Sequence, residues 1–212
     1  EYTYDDEELA FLAAHDTNSF NRWDALQKFA ANELTKMISD AQQGKPLQAS
    51  KAFLSAMANV VHGAEDDADF AALCLQLPGE GEMGQHLLRQ GKKIDVDAIH
   101  TARDALRMAI ANEFREPFLQ LYMEGMKLSA TAFDGKTMGK RQLKNICLAY
   151  LGLLNDSSFD ELAFAQAMNA KNMTDATAAL GILTHRDIPQ RKEAFDAFYA
   201  KWKSNKLVLD KW

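Results

Sequence analysis

The sequence predicts an all-α fold of about ten helices, and three observations carry that reading. Apolar residues recur at spacings of three and four nearly everywhere, the period of one helix face. No segment shows the sustained period-two alternation, rich in Val, Ile and Thr, of a half-buried strand. Only four prolines and eleven glycines punctuate the chain, and they fall mostly between the periodic runs. Helices of roughly 10–20 residues with short connections favour antiparallel neighbours. Strict repeats are not visible, but alternating helices of this length suit antiparallel pairs stacked in a curved, HEAT-like superhelical bowl.

In chain order, a first helix is predicted over residues 5–15, with Asp5 to Glu8 at its positive end. The second opens near Thr17, Asn18 or Ser19, and its inward stripe is Phe20, Trp23, Leu26, Phe29 or Ala30, Leu34, Met37 and Ile38. Gly44-Lys45-Pro46 stops it. A third covers Leu47 to Val61 and faces inward with Phe53, Leu54, Met57 and Val60 or Val61. The acids Glu65, Asp66, Asp67 and Asp69 then lead a short helix carrying Phe70, Leu73 and Leu77. After Pro78 a Gly-rich turn precedes another short helix ending near Gly91.

A long periodic run follows from Asp95 to Lys127, with Val96, Ile99, Leu106, Ile110, Phe114, Leu121 and Tyr122 on its apolar face. Pro117 should kink or break it. Residues 131–137, with Asp134-Gly135-Lys136, read as a loop. Lys140 to Leu154 is helical with Leu143, Ile146, Cys147, Tyr150 and Leu154 on one side, and Phe159 to Met168 is helical again. Asn172 then opens a helix, with Asp175 three residues on as a near capping box, and Met173, Ala176, Leu180 and Leu183 form its face. Pro189 opens the next helix, whose face is Phe195, Phe198 and Trp202. Trp23 and Trp202 fall on apolar stripes and are expected in the core. Asp210 reads as an N-cap followed only by Lys211 and Trp212, and the chain opens on Glu1 without Met. Both features lead us to expect a piece of a longer polypeptide, with Trp212 partly exposed or disordered.

Composition narrows the function classes. Hydrophobic residues make up 47% and charged ones 25%, ordinary values for a globular chain able to bury a core. A net charge of −6 offers no basic field for nucleic acid or anionic lipid, so neither partner is expected. No apolar run approaches the roughly 18 residues of a membrane span. Glu1-Tyr2-Thr3-Tyr4 has neither the basic flank nor the apolar segment of a signal peptide. Cys74 and Cys147, far apart on apolar helical patterns, read as reduced core thiols, which points to the cytoplasm.

Several stretches carry a family resemblance. Asn172 to Leu180 (Asn-Met-Thr-Asp-Ala-x-Ala-Ala-Leu), Lys201-Trp202 and the tail Leu207 to Trp212 form one block. Phe20 to Asp24 (Phe-x-Arg-Trp-Asp), Arg141 to Leu151 (Arg-x-Leu-x-Asn-x-Cys-Leu-x-Tyr-Leu) and Tyr4 to Leu12 are others. Lying in the family's order along nearly the whole chain, they resemble the C-terminal helical region of the bacterial aminopeptidase N family of zinc metallopeptidases. The resemblance implies residues 1–4 as the end of a linker and residues 5–212 as the first part of a C-terminal helical domain, incomplete at its C-terminal end. It implies a zinc-dependent parent that removes N-terminal residues from peptides, and a helical bowl over the catalytic domain of the same polypeptide that admits short or unfolded peptides.

The chain itself matches none of that chemistry. A His-Glu-x-x-His helix places two imidazoles on one face with a Glu to polarise the zinc-bound water. None of His15, His62, His86, His100 and His185 begins such a motif, and the family's Gly-x-Met-Glu-Asn motif for the substrate amine is also missing. No catalytic, cofactor-binding or metal-binding residue is therefore assigned, and this part alone is expected to be inactive.

Three look-alikes are weighed the same way. Gly79-Glu-Gly81-Glu-Met-Gly84 fits a dinucleotide fingerprint formally, but no strand feeds it and Glu80 and Glu82 would repel phosphate. Asp97, His100 and Asp104 share a helix face and could in principle touch one metal, yet a solvated face pairing with Arg103 and Arg107 is the plainer reading. The acids from Glu65 to Asp69 lack the alternation and glycine of a calcium loop. The rival to the family reading is a stand-alone helical-repeat adaptor that binds a partner peptide or helix in its groove.

Overall fold

A computed structural model describes residues 3–129 and 131–210. Twelve helices and no strand occur among these residues, in keeping with the all-α prediction and two more than the count above. They fall into two compact units, residues 1–117 and 118–212.

In the first unit, α1 (Asp6–His15) opens on a capping box: Glu8 N–H donates to the Asp5 carboxylate, and Asp5 N–H donates to the Glu8 carboxylate. α2 (Ser19–Gln42) starts where Asn18 accepts from the amides of Phe20 and Asn21. It ends on Gly44 at φ 64°, where Lys45 N–H reaches the Asp40 carbonyl and Gly44 N–H that of Ala41. This long helix is the unit's axis, packing against α1, α3 (Lys51–His62), α4 (Ala68–Cys74), α5 (Glu80–Arg89) and α6 (Val96–Glu113). Leu26, Phe29, Leu34, Met37 and Ile38 are buried along it, and the Phe29 ring meets Phe53 of α3 edge-on.

Several elements differ from what the sequence predicts. α3 starts at Lys51, not Leu47, because Ser50 caps it by accepting from Phe53 N–H. The buried carboxylate of Glu33 holds that cap in turn, accepting from both Ser50 N–H and Ser50 Oγ–H. The Gly-rich stretch after Pro78 is no turn. Gly79 is the N-cap of α5, and Gly81 and Gly84 lie inside the helix. Phe20 and Leu73 are exposed rather than inward, and Trp23 is half-buried rather than core, since each sits where a helix face turns to solvent.

The long run from Asp95 breaks at Phe114 into α6 and α7 (Arg115–Met126). Pro117 lies in the first turn of α7, where helix amides have no internal partner, so its missing N–H costs no helical bond. In the second unit, Phe118 stacks on Tyr150 of α8 (Gly135–Leu151) at 5.1 Å between ring centres. α8 begins inside the stretch read as a loop, because the Asp134 carboxylate caps it by accepting from Thr137 N–H and Oγ–H.

α10 (Met173–Thr184) is the hub of this unit, packing against α8, α9 (Ser157–Asn169) and α11 (Pro189–Trp202). Asn172 caps it as predicted and Pro189 opens α11 as predicted. Trp202 is half-buried, not core. Asp210 does not open a helix: Asn205 caps the short α12 (Lys206–Leu209), and Asp210 ends it. Trp212 lies outside the described residues.

Candidate functional site

The residues weighed for chemistry in the sequence are spread over the first unit. Gly79 N–H, which a dinucleotide loop would turn towards phosphate, donates to the Glu82 carboxylate at 2.6 Å. His100 lies between two carboxylates, Nδ1 at 2.8 Å from Glu80 and Nε2 at 3.3 Å from Asp104. The hydrogen bond to Glu80, then the charges of Asp104 and Glu80, raise its pKa above the ordinary imidazole value. Arg107 pairs with Asp104 at 3.6 Å, whereas Arg103 donates instead to the Pro78 carbonyl. In the acid run, Asp67 caps α4 by accepting from Phe70 N–H, while Glu65 and Asp66 are exposed. Among the described residues no three His, Cys, Asp or Glu side chains are grouped to hold a metal ion. Cys74 and Cys147 are both buried free thiols, and burial pushes each pKa up to about 12.

The most concentrated polar chemistry lies in the second unit, at residues the sequence reading left in plain helical patterns. Lys144 of α8 meets Asp175 of α10 with Nζ 2.8 Å from Oδ2, and the two side chains are 6% and 9% exposed. Asn145 Nδ2 donates to Asp175 Oδ1 at 3.0 Å, and Asn172 Nδ2 to Asp175 Oδ2 at 2.9 Å. Gln166 of α9 donates through Nε2 to Asn145 Oδ1 and to the Asp175 carbonyl. Asp175 thus ties α8 and the cap of its own helix through its carboxylate, and α9 through its backbone carbonyl. Gly125 of α7 makes room for this: a Cβ there would come 2.6 Å from Lys144 Cβ.

Burial alone would push the Asp175 pKa up, but hydrogen bonds from Lys144, Asn172 and Asn145 outweigh it and hold the carboxyl below its ordinary range. Burial pushes Tyr122 the other way, up to about 12, and the negative charge of Asp175 adds to that. The cluster forms part of the wall of a cavity of about 270 Å³, shared with Arg141, Lys171 and Ser129. Arg141 is itself buried and donates to the carbonyls of Ser129 and Ala132. The arrangement is a hydrogen-bonded cation–anion pair beside a small hollow whose charged lining is three cations and one carboxylate. It can bind and orient a polar group, and it offers no nucleophile paired with a base.

One signal for this cluster stood in the sequence. Lys144 and Asn145 lie between Leu143 and Cys147, and Gln166 lies between Ala163 and Ala167, so polar residues occupy inward phases of apolar helices. A polar residue at such a phase must find a partner when the helix is buried.

Comparison with known proteins extends over the same residues. Residues 6–212 match the family described as domain of unknown function (DUF3458_C), ARM repeats. The chain is 34% identical over its full length to Aminopeptidase N of Haemophilus influenzae and, equally, of Escherichia coli, spanning 24% of the length of each. It is 29% identical to Aminopeptidase N of Caulobacter vibrioides over 95% of its residues, 22% of that relative. A crystal structure of Legionella pneumophila aminopeptidase A in complex with aspartic acid shares the fold, with a TM-score of 0.78 and 24% identity. It covers 97% of this chain and 24% of that one.

Proposed function

This chain belongs to the DUF3458_C family of ARM-repeat domains, and we propose that it serves as part of the C-terminal helical domain of an aminopeptidase that removes N-terminal residues from peptides. One observation carries the reading: the match to Aminopeptidase N runs over the whole of this chain and about a quarter of each relative. In this reading residues 1–4 close a linker and residues 5–212 begin the helical domain. The helical part forms a bowl over the catalytic domain of the same polypeptide and admits short or unfolded peptides.

The zinc of such an enzyme does not fit the residues described here, since no three His, Cys, Asp or Glu side chains among them converge. Its ligands, and the catalytic groups, are assigned to other parts of the polypeptide, and no chemical step is assigned to this chain. No described helix is long and apolar enough to cross a membrane. The acidic balance disfavours nucleic acid as a partner, and buried free thiols suit the cytoplasm.

An immunoblot of source-cell lysate with antibody against this chain tests the proposal. A band several times larger than 23.7 kDa is expected. A single band near 23.7 kDa would overturn it in favour of the stand-alone helical adaptor.

A further inference from the structure

We infer that the cavity beside Lys144 is a binding site for a carboxylate, that of a peptide end or of a free amino acid. The charges around it set the ligand's sign. Arg141, Lys144 and Lys171 share the wall with one carboxylate, Asp175, so the hollow holds three cations to one anion. Asp175 is already occupied by hydrogen bonds from Lys144, Asn145 and Asn172 and has little capacity left for a further cation.

Lys144 adds the local demand. A lysine ammonium carries three N–H donors, and Asp175 is the hydrogen-bond partner of Lys144 Nζ among the described residues. Buried donors without acceptors are costly, so a ligand oxygen brought against this ammonium forms a strong charge-assisted bond. A ligand carboxylate supplies the acceptor that this ammonium lacks.

Size points the same way. A volume of about 270 Å³ lies just below the roughly 300 Å³ at which small-molecule pockets begin, enough for one or two small residues. The choice of peptides as one source rests on the aminopeptidase reading, while the carboxylate chemistry rests on this chain alone.

Titration calorimetry on the 212-residue chain tests this with N-acetyl-alanyl-alanine, its C-terminal amide, and free alanine. Saturable binding of the acid and none of the amide is expected, and whether free alanine also binds separates an amino-acid site from a peptide-end site. Lys171→Gln, at the exposed rim and outside the buried cluster, should weaken binding about two- to fivefold with an unchanged melting curve. Amide resonances of Ser129, Asn169 and Lys171 should shift on titration. Equal binding of acid and amide, no binding by about 10 mM, or shifts confined to other residues would each overturn the inference. Because the readout is binding to this chain, a single 23.7 kDa band in the immunoblot would leave it standing.

Discussion

Lys144 and Asp175 face each other almost out of solvent, so the loss of one partner strands the charge of the other. Lys144→Met should therefore destabilise the fold by about 3–5 kcal/mol, read from urea denaturation. Lys144→Met with Asp175→Leu should recover part of that loss, because an apolar pair carries no buried charge. If the double variant is no more stable than the single one, hydrogen bonds from Asn145 and Asn172 dominate over the charge pair. The same carboxylate sets a pH dependence. Asp175 has a folded pKa below its unfolded value of about 3.9, so its contribution is fully present above that value. It is lost as pH falls through the lower folded pKa. Urea midpoints should thus fall steeply below pH 4 in the parent chain and less steeply in Asp175→Asn.

At the scale of the element, caps decided more than composition did. Asp5, Asn18, Ser50, Asp67, Asp134 and Asn172 each set a helix start through a side-chain bond to a backbone amide. Those at Asn18 and Asn172 were readable because an apolar periodic run follows at once. Ser50 was missed because Leu47 continued the apolar spacing upstream, and only Glu33, seventeen residues earlier in sequence, fixes the cap in place. The glycines of Gly79 to Gly84 read as a turn on local propensity, yet packing of Met83 and Leu87 into the core holds them helical. Pro117 illustrates the reverse case. Pro117→Ala should shift stability by less than about 1 kcal/mol, since the proline blocks no helical hydrogen bond in the first turn. A larger stabilisation on thermal melting would mean that Pro117 strains the break at Phe114.

For the whole molecule, the helical period along nearly every segment matches an all-α chain of the ARM-repeat family, with a core in each of two units. In the proposed reading the molecule contributes shape and binding surface to an enzyme whose chemistry lies elsewhere. The purified chain, supplied with zinc and an aminoacyl chromogenic substrate, should show no turnover. Turnover that co-purifies with the chain and survives removal of contaminants would place a catalytic site within these residues.

The sequence by itself determined the helical class, most helix starts and the bulk of the apolar core, because periodicity and capping act within one or two turns. It also carried the family resemblance, through stretches that include Arg141, Asn145, Asn172 and Asp175. What it left open was why polar residues stand in those stretches. Lys144 and Asp175 are thirty-one positions apart, and Gln166 lies between them on a third helix. Only the packing of α8, α9 and α10 brings their side chains to one point, where exclusion of water turns ordinary surface residue types into a paired, hydrogen-bonded cluster.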